Sequence, residues 1–356
     1  MSGLASALRV VAAGALTAAI SLSFSCGGSE TSREEATLQR GQALYGRYCA
    51  FCHGDRGEGY RADHATQLAN EELLATASDG YLRRSIERGR PGTTMSAWSK
   101  ARGGPLEAED IDAIVALIRS WGRRPYASVD GEKVEGDAAR GGPIYERACQ
   151  GCHGAGGRGG TAPQLSNAEL LAVASDGFLR AAIARGRPGT PMPAYEGQLA
   201  AGEIGDLVKL LRSWQVPVDD AAPTPPRPGQ LTSVVVNPGG PDANLPSPAD
   251  FVPADDVKRE LDRGASFVIA DARAPSDYVK GHIAGAISVP FSEVEAYAAQ
   301  IPKDRYMITY CGCPHAVSVQ ARDAFRRLGY PRAAVLDEGV YVWQDRGYPM
   351  KAGAEP

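Results

Sequence analysis

Apolar residues recur at helical spacing in two stretches of the first half of the chain. In Ile111–Trp121 they stand at positions i, i+3, i+4 and i+7, and Ile204–Trp214 repeats the arrangement. This spacing is typical of an amphipathic helix with one buried face. The pattern therefore predicts that two helix-containing units follow each other along the chain.

Short apolar runs replace this spacing in the last third of the chain. Ser266–Ala270, Tyr306–Tyr310 and Ala333–Leu336 have the length of buried strands, and helical patterns flank them at Asp255–Arg263 and Val317–Leu328. Strands that alternate with helices are typical of a mostly parallel sheet. An α/β unit is therefore predicted at residues 254–352.

A segment of different composition joins the helical part to the α/β part. Residues 217–253 are rich in Pro, Gly, Ala and Asp. This composition is typical of an extended, semi-rigid linker. Inside the linker, the sequence LTSVVVN at Leu231–Asn237 predicts a short strand.

Length and composition set the broad class of the protein. The chain has 356 residues, enough for two or three domains. Its 43% hydrophobic and 22% charged residues fit a soluble globular protein. The formal net charge is −4, and no run of Lys and Arg stands out. Nucleic acid is therefore not expected among the partners.

The N-terminal segment predicts export. Val10–Phe24 is apolar and uncharged, and it is shorter than the roughly 20 residues of a membrane-spanning helix. It is typical of a secretory signal peptide, predicted here at residues 1–25. Cys26 follows and resembles the lipidated cysteine of bacterial lipoproteins, which implies a lipid anchor at the periplasmic face of the cell envelope. The alternative is an ordinary signal peptide that leaves Cys26 as a thiol.

Two copies of a cysteine motif mark an internal repeat. CAFCH at residues 49–53 and CQGCH at residues 149–153 both have the form Cys-x-x-Cys-His. Gly80–Met95 and Gly177–Met192 also match each other. The repeat predicts two units of one fold, at residues 36–122 and 137–216.

Three chemistries use the Cys-x-x-Cys spacing. A zinc site needs four ligands, whereas each motif offers two cysteines and one histidine. A thioredoxin-like site lies in a βα unit, whereas these motifs lie in helix-rich stretches. Cys-x-x-Cys-His is the signature of c-type haem, because two thiols reach the haem vinyl groups while the histidine binds iron. Two covalently attached c-type haems are therefore predicted. Their attachment and ligand residues are Cys49, Cys52, His53, Cys149, Cys152 and His153.

One methionine in each repeat is a candidate for the sixth iron ligand. Met95 and Met192 each end an Arg-Pro-Gly-Thr-x-Met loop. His/Met ligation raises the reduction potential and favours electron transfer, and the alternative role is core packing. His64 has no counterpart in the second repeat and is predicted to lie at the surface. Four arginines near these loops could face haem propionates or solvent: Arg88, Arg90, Arg185 and Arg187.

These features resemble class I cytochrome c domains, especially the monohaem type of cbb3-oxidase subunit III. The resemblance rests on the two Cys-x-x-Cys-His motifs, the two methionine loops, and residues that include Leu44, Tyr45 and Tyr145. It implies an all-α fold wrapped on haem and an exposed haem edge. It also implies redox proteins as electron donors and acceptors.

The last unit carries a different set of motifs. Asp271-Ala272-Arg273 follows a predicted strand, GHIAGA stands at residues 281–286, and Cys311 ends another predicted strand. This order resembles the rhodanese homology domain. The resemblance implies that Cys311 accepts a sulfane sulfur as a persulfide and that His282 belongs to a fold-forming motif.

The loop after Cys311 decides what chemistry the cysteine can support. Loop amides and the N-terminus of the following helix favour a thiolate there. Gly312–Ala316 contains neither Arg nor Lys, and only His315 could be cationic, so anionic sulfur donors are expected to bind weakly. Cys313 could resolve a Cys311 persulfide, form a Cys-x-Cys disulfide, or be an inert neighbour.

The predicted architecture is multidomain, with two all-α cytochrome c domains followed by an α/β rhodanese-like domain with a mostly parallel sheet. The predicted function is electron transfer between periplasmic redox proteins. A further hypothesis is that the haems accept electrons from a small sulfane-sulfur compound held on Cys311. Two alternatives stay open: a rhodanese-type sulfurtransferase, and a non-catalytic protein whose last domain docks a partner.

Overall fold

The computed structural model describes residues 30–60, 62, 64–218, 231, 233–312 and 315–356. The predicted signal peptide, the lipidation candidate Cys26, residues 219–230 of the linker and the candidate resolving thiol Cys313 lie outside the described residues. Two helical units come first and an α/β unit follows, which confirms the predicted fold class. No helix within the described residues combines the length and the apolar character that crossing a bilayer requires.

The first helical unit packs its two long helices against each other. Its helices are α1 Glu30–Tyr48, α2 Ala50–His53, α3 Glu71–Thr76, α4 Asp79–Arg88 and α5 Ala108–Ser120. Helix α5 contains the predicted apolar stripe, and Ile111 and Ile114 are fully buried. Helix α1 lies so close to it that a Cβ at Gly41 would stand 2.2 Å from the carbonyl oxygen of Ala113. Any larger residue would push the two helices apart.

The second helical unit repeats this plan. Its helices are α6 Ala138–Ala148, α7 Gln150–His153, α8 Ala168–Val173, α9 Asp176–Arg185 and α10 Ala201–Ser213. Helix α6 approaches α10 at Gly141, where a Cβ would lie 2.4 Å from the carbonyl oxygen of Asp206. The matched order and the matched close contact indicate that both units have one fold.

Polar side chains cap the N-termini of the short helices in both units. Asn70 caps α3 by accepting hydrogen bonds from two backbone amides, and Ser78 caps α4 in the same way with one. Asn167 and Ser175 do the same for α8 and α9. Such caps satisfy amides that a helix leaves without an internal partner. The boundaries of these helices are therefore encoded locally.

The α/β unit is built on a five-stranded parallel sheet. Its elements are β1 Phe251–Val252, α11 Ala254–Asp262, β2 Val268–Asp271, α12 Pro275–Tyr278, β3 His282–Ile283, β4 Ile287–Ser288, α13 Val294–Ala298, β5 Met307–Tyr310, α14 Ala316–Arg327, β6 Ala333–Leu336, α15 Gly339–Asp345 and β7 Met350–Lys351. The strand order is β1-β6-β5-β2-β4, and β3 pairs with β7 antiparallel. The three predicted strands are present with small shifts at their ends. The central strand β5 leads directly into Cys311.

The prediction of a strand at Leu231–Asn237 is wrong. Among the described residues of this segment, Val236 forms only an isolated β-bridge. Ser233 and Asn237 have φ values of 52° and 46°, which an extended strand excludes. Val236 and Leu245 are nevertheless buried in the core of the α/β unit. The end of the predicted linker therefore packs as part of that unit.

Candidate functional site

A single helical turn carries each Cys-x-x-Cys-His motif. Cys49 is the N-cap residue of α2, and its carbonyl oxygen accepts the amides of Cys52 and His53 at 3.2 and 3.0 Å. The carbonyl of Cys149 accepts the corresponding two amides in α7 at the same distances. The two thiols and the imidazole of a motif thus share one turn. This arrangement suits attachment to one edge of a porphyrin and ligation of its iron.

A backbone carbonyl fixes the tautomer of each motif histidine. Nδ1 of His53 lies 2.8 Å from the carbonyl oxygen of Thr66, and Nδ1 of His153 lies 2.8 Å from that of Pro163. Because a carbonyl only accepts, Nδ1 carries the proton and Nε2 keeps its lone pair. Burial lowers the pKa of both imidazoles. Each histidine is therefore neutral, with Nε2 suited to bind a metal.

The first thiol of each motif is poorly suited to a thiolate site. Burial raises the pKa of Cys49 to about 12 and the pKa of Cys149 to about 11. Zinc binds thiolates, whereas a thioether bond forms by adding a thiol to a vinyl group. A protonated first thiol and a neutral imidazole therefore fit covalent c-type haem better than zinc.

A tyrosine and a tryptophan support each motif turn. The hydroxyl of Tyr45 donates to the carbonyl of Gly54 at 2.8 Å, and its ring meets Trp121 edge-on at 5.0 Å. Tyr145 and Trp214 repeat this contact, also at 5.0 Å between ring centroids. The tryptophan that ends each predicted apolar stretch thus braces the motif of its own unit. The sequence repeat indicated that these residues correspond but not that they touch.

The two methionine loops have the same internal hydrogen bonds. The amide of Arg90 donates to the carbonyl of Met95 at 2.7 Å, and the amide of Met95 donates to Oγ1 of Thr93 at 3.2 Å. The second loop has the same bonds at 3.0 and 3.2 Å, among Arg187, Thr190 and Met192. Both methionines are therefore held by matched backbone geometry. Ligation of iron by Met95 and Met192 stays a prediction.

His64 and Arg88, two further candidates near the haem motifs, lie in different surroundings. His64 is exposed on a loop with φ of 52°, as expected of a surface residue. Arg88 is buried and is therefore not a solvated loop charge. Its guanidinium forms a buried ion pair with Glu169 of the second helical unit.

The two helical units meet across a pseudo-two-fold interface. Nε and Nη2 of Arg88 donate to the two carboxylate oxygens of Glu169 at 2.7 and 2.9 Å, and both side chains are less than a tenth exposed. The corresponding pair with the units exchanged is Arg185 and Glu72, at 3.6 Å. There the arginine side chain is 43% exposed. The same contact therefore occurs twice, once with both side chains buried and once with a longer distance and a half-exposed arginine.

The N-cap asparagines extend this interface to the methionine loops. Nδ2 of Asn70 donates to the carbonyl of Pro188 at 3.0 Å, and Nδ2 of Asn167 donates to the carbonyl of Pro91 at 2.9 Å. Each asparagine caps a helix in its own unit and holds the methionine loop of the other. Sequence reasoning missed this second role, because a cap is already a sufficient reason for an asparagine at that position.

Cys311 lies at the carboxyl end of the sheet, directly after β5. Its side chain is 1% exposed, and Sγ lies 3.3 Å from Oγ of Ser318. Its carbonyl accepts the amide of Val340 at 3.0 Å. Reactive cysteines are ordinarily partly exposed, so a sulfur donor reaches Cys311 only when a covering segment moves.

A buried ion pair, missed at the sequence level, lies near this cysteine. Arg273 binds the carboxylate of Asp271 through Nε and Nη2 at 3.0 and 2.6 Å, and neither side chain is more than 4% exposed. The guanidinium also lies 5.8 Å from the ring centroid of Tyr310. Its charge is thus neutralised by Asp271 and is not offered to an anionic donor.

His282 has the structural role that was expected. Its ring stacks on Tyr278 at 3.8 Å between centroids, and its two nitrogens lie 2.8 and 3.0 Å from the carbonyl oxygens of Tyr278 and Glu355. The side chain is fully buried. It joins the short α12 helix to the C-terminal end of the chain.

The first methionine loop packs against the loop of the buried cysteine. The hydroxyl of Tyr341 donates to the carbonyl of Thr93 at 2.6 Å. A methyl group at Gly312 would lie 3.4 Å from Cα of Thr94. A small cleft between the first helical unit and the α/β unit lies beside this contact. Its lining includes Ser96, Trp98, Arg273 and Phe291.

Comparison with known families assigns both kinds of unit. Residues 36–118 and 136–211 match the family described as cytochrome c oxidase, cbb3-type, subunit III, and residues 253–346 match the rhodanese-like domain. The chain carries cbb3-type cytochrome c domains and a rhodanese-like domain. The cytochrome match implies covalently bound c-type haem, to which the Cys-x-x-Cys-His turns are suited.

Individual relatives resemble different parts of the chain. Subunit FixP of the cbb3-type cytochrome c oxidase of Bradyrhizobium diazoefficiens is 31% identical over 184 residues, 49% of this chain and 60% of that protein. Subunit CcoP of Azospirillum sp. is 28% identical over 186 residues, 47% of this chain and 58% of that protein. A sulfurtransferase of Allochromatium vinosum is 28% identical over 101 residues, 28% of this chain and 94% of that protein. The chain thus spans less than two thirds of the length of these oxidase subunits.

Proposed function

We propose that the chain is a dihaem cytochrome c that carries single electrons between redox proteins at the periplasmic face of a bacterial cell envelope. The observation that carries the proposal is the duplicated histidine geometry, with Nδ1 of His53 and of His153 each 2.8 Å from a backbone carbonyl. When bound, haem supplies a reversible one-electron couple. Cys49, Cys52, Cys149 and Cys152 would attach the two haems. His53 with Met95 would hold the first iron, and His153 with Met192 would hold the second.

The chain's own residues explain why such a carrier would exchange electrons without binding substrates. A histidine and a methionine on each iron would leave no place for a substrate. The hydrogen bond from Nδ1 to a backbone carbonyl would hold each imidazole in one orientation. Redox proteins are the proposed donors and acceptors, supported by the similarity to cbb3-type oxidase subunits. Lipidation at Cys26 would hold the carrier at a membrane.

The haem count tests this proposal. Holoprotein from a host that matures c-type cytochromes is expected to contain two haems per chain by pyridine haemochrome and intact mass. Cys49→Ser with Cys52→Ser is expected to leave one haem, and Cys149→Ser with Cys152→Ser is the matched variant for the second site. A wild-type count of one, or loss of both haems from either variant, would contradict two independent attachment sites.

Sulfur transfer at Cys311 is a second candidate function. It is favoured by the position of the cysteine at the end of β5, 3.3 Å from the hydroxyl of Ser318, and by the match to the rhodanese-like family. In the proposed step the thiol of Cys311 attacks the outer sulfur of a persulfide RSSH. A new S–S bond forms to Sγ, and the S–S bond of the donor breaks. The leaving group departs as RSH with the proton of the Cys311 thiol, and the transferred sulfur keeps its own proton. No oxidant is consumed.

A sulfur-transfer assay distinguishes this activity from a docking role. Wild-type protein is expected to pass sulfur from glutathione persulfide to cyanide, giving thiocyanate, and Cys311→Ser is expected to lose this activity. Cys313→Ser is the matched control and is expected to retain it, since Cys311 alone carries the sulfur. Equal thiocyanate formation by wild type and Cys311→Ser would leave the rhodanese-like domain as a docking module.

A further inference from the structure

The cysteine loop of the rhodanese-like domain and the methionine loop of the first cytochrome domain form one connected structure. On the rhodanese side, the carbonyl of Cys311 accepts the amide of Val340 at 3.0 Å. The next residue, Tyr341, lies against the cysteine loop, since a methyl group at Gly312 would be 2.9 Å from its Cε2 atom. Tyr341 is therefore positioned by the same segment that contains Cys311.

On the cytochrome side, Tyr341 holds the residue on which the methionine depends. Its hydroxyl donates to the carbonyl of Thr93 at 2.6 Å. Oγ1 of Thr93 in turn accepts the amide of Met95 at 3.2 Å and donates to the carbonyl of Arg90 at 2.7 Å. A displacement of Thr93 therefore moves the backbone of Met95.

The side chain of Cys311 is enclosed by its neighbours. Cys311 is 1% exposed and Ser318 is fully buried beside it. A substituent on Sγ must therefore displace a neighbouring segment, because close-packed interiors do not absorb extra atoms. Contacts between domains yield more readily than a sheet. Thr94, which approaches Gly312 from the other domain, belongs to such a contact.

We propose that Thr93–Ser96 is the outer wall of the Cys311 site and that Tyr341 is a positioning residue for Met95, so that a substituent on Cys311 changes the ligation of the first haem. The inference rests on the proposed haem ligands His53 and Met95. It adds that a substituent on Cys311 affects the ligation of the first haem and leaves that of the second unchanged. In the second cytochrome domain the outer face of the matching loop is open, with Gly189, Pro191 and Pro193 exposed.

The decisive experiment adds one small group to Cys311 and observes the methionine ligand. Holoprotein carrying Cys313→Ala is treated with methyl methanethiosulfonate. The S–S bond of the reagent breaks, its S-methyl group joins Sγ of Cys311, and methanesulfinic acid leaves with the thiol proton. The far-red sulfur-to-iron absorption band is expected to lose the contribution of one haem. Cys311→Ser in the same background is expected to show no change.

Ligand variants identify the haem that responds. Met192→Leu is expected to keep the response, and Met95→Leu is expected to abolish it. By linkage, Met95→Leu should also accelerate labelling of Cys311, by about 5-fold or more relative to Met192→Leu, the lower end of ordinary allosteric coupling. Complete labelling by mass with an unchanged band, or a response that survives Met95→Leu, overturns the inference.

Two further variants test the connecting residue without chemical labelling. Tyr341→Phe is expected to weaken the band of one haem and to accelerate labelling of Cys311, whereas Tyr348→Phe, a tyrosine that binds Asp255 elsewhere on the same domain, is expected to do neither. Gly312→Ala is expected to disturb the same band by forcing Tyr341 aside. If Tyr341→Phe and Gly312→Ala both contain two haems with unchanged methionine bands, the coupling is refuted and the dihaem proposal still holds. Absence of the band from wild type would refute methionine ligation itself.

Discussion

Arg88→Met is expected to destabilise the cytochrome domains by about 3–5 kcal/mol, the usual cost of leaving one partner of a buried ion pair without its counter-charge. Both carboxylate oxygens of Glu169 lose a donor at an interface where its side chain is 7% exposed. The free energy of unfolding would be obtained from guanidinium titration of the holoprotein, followed by tryptophan fluorescence.

The pseudo-two-fold relation supplies a matched control for this substitution. Arg185→Met removes the equivalent arginine where the pair is 3.6 Å apart and the arginine side chain is 43% exposed. Glu72 keeps Arg124 as a partner, so the cost is expected to stay below about 1 kcal/mol. Arg88→Met combined with Glu169→Leu is expected to recover most of the loss, because an apolar pair leaves no buried charge. Equal losses from the two arginine variants would show that the burial of the Arg88 pair does not stabilise the interface.

Met95→His and Met192→His are each expected to lower one reduction potential by a few tenths of a volt, a fraction of the roughly 0.8 V that axial ligands span. Replacing a thioether by imidazole removes the ligand that favours the reduced iron. The Met95 loop is covered by the rhodanese-like domain, with Ala97 buried, whereas the Met192 loop exposes Pro193 and Ala194. Burial favours the less charged reduced state, so the first site is expected to have the higher potential.

A spectroelectrochemical titration checks this assignment. Wild type is expected to titrate as two one-electron components. Met95→His should remove the upper one and Met192→His the lower one, while Met350→Leu, in the last strand of the rhodanese-like domain, should change neither. Loss of the lower component in Met95→His would reverse the order of the two sites, and unchanged potentials in both variants would exclude these methionines as ligands.

Local signals in the sequence located the longer elements and the Cys-x-x-Cys-His turns. Apolar spacing located α5 and α10, and the Cys-x-x-Cys-His motifs located the turns that carry His53 and His153. Leu231–Asn237 misled because apolar composition was read as a strand, whereas positive φ at Ser233 and Asn237 turns the chain. The apolar side chains there pack into the core of the α/β unit, and the backbone forms only an isolated β-bridge.

Contacts between domains lay beyond sequence reasoning. Arg88 and Glu169 stand on helices of different units. The repeat singled out Arg88 as a contact of haem or solvent, and no signal marked Glu169 as its partner. Tyr341 stands on α15, where nothing in its neighbourhood points to a partner in the first domain. Surfaces that meet only after folding have no periodic signature, and their polar residues are indistinguishable in sequence from solvated ones.

The hydrogen bond between Tyr341 and Thr93 also sets an order of assembly. The two residues are separated by 248 positions, and the proposed export delivers the N-terminal end of the chain to the periplasm first, so that domains can fold as they appear. The first cytochrome domain is therefore expected to fold with the face of Thr93 bare until the rhodanese-like domain has followed it. Docking of the rhodanese-like domain then comes after folding of the first cytochrome domain, and a chain that stops before Tyr341 is left with that face uncovered.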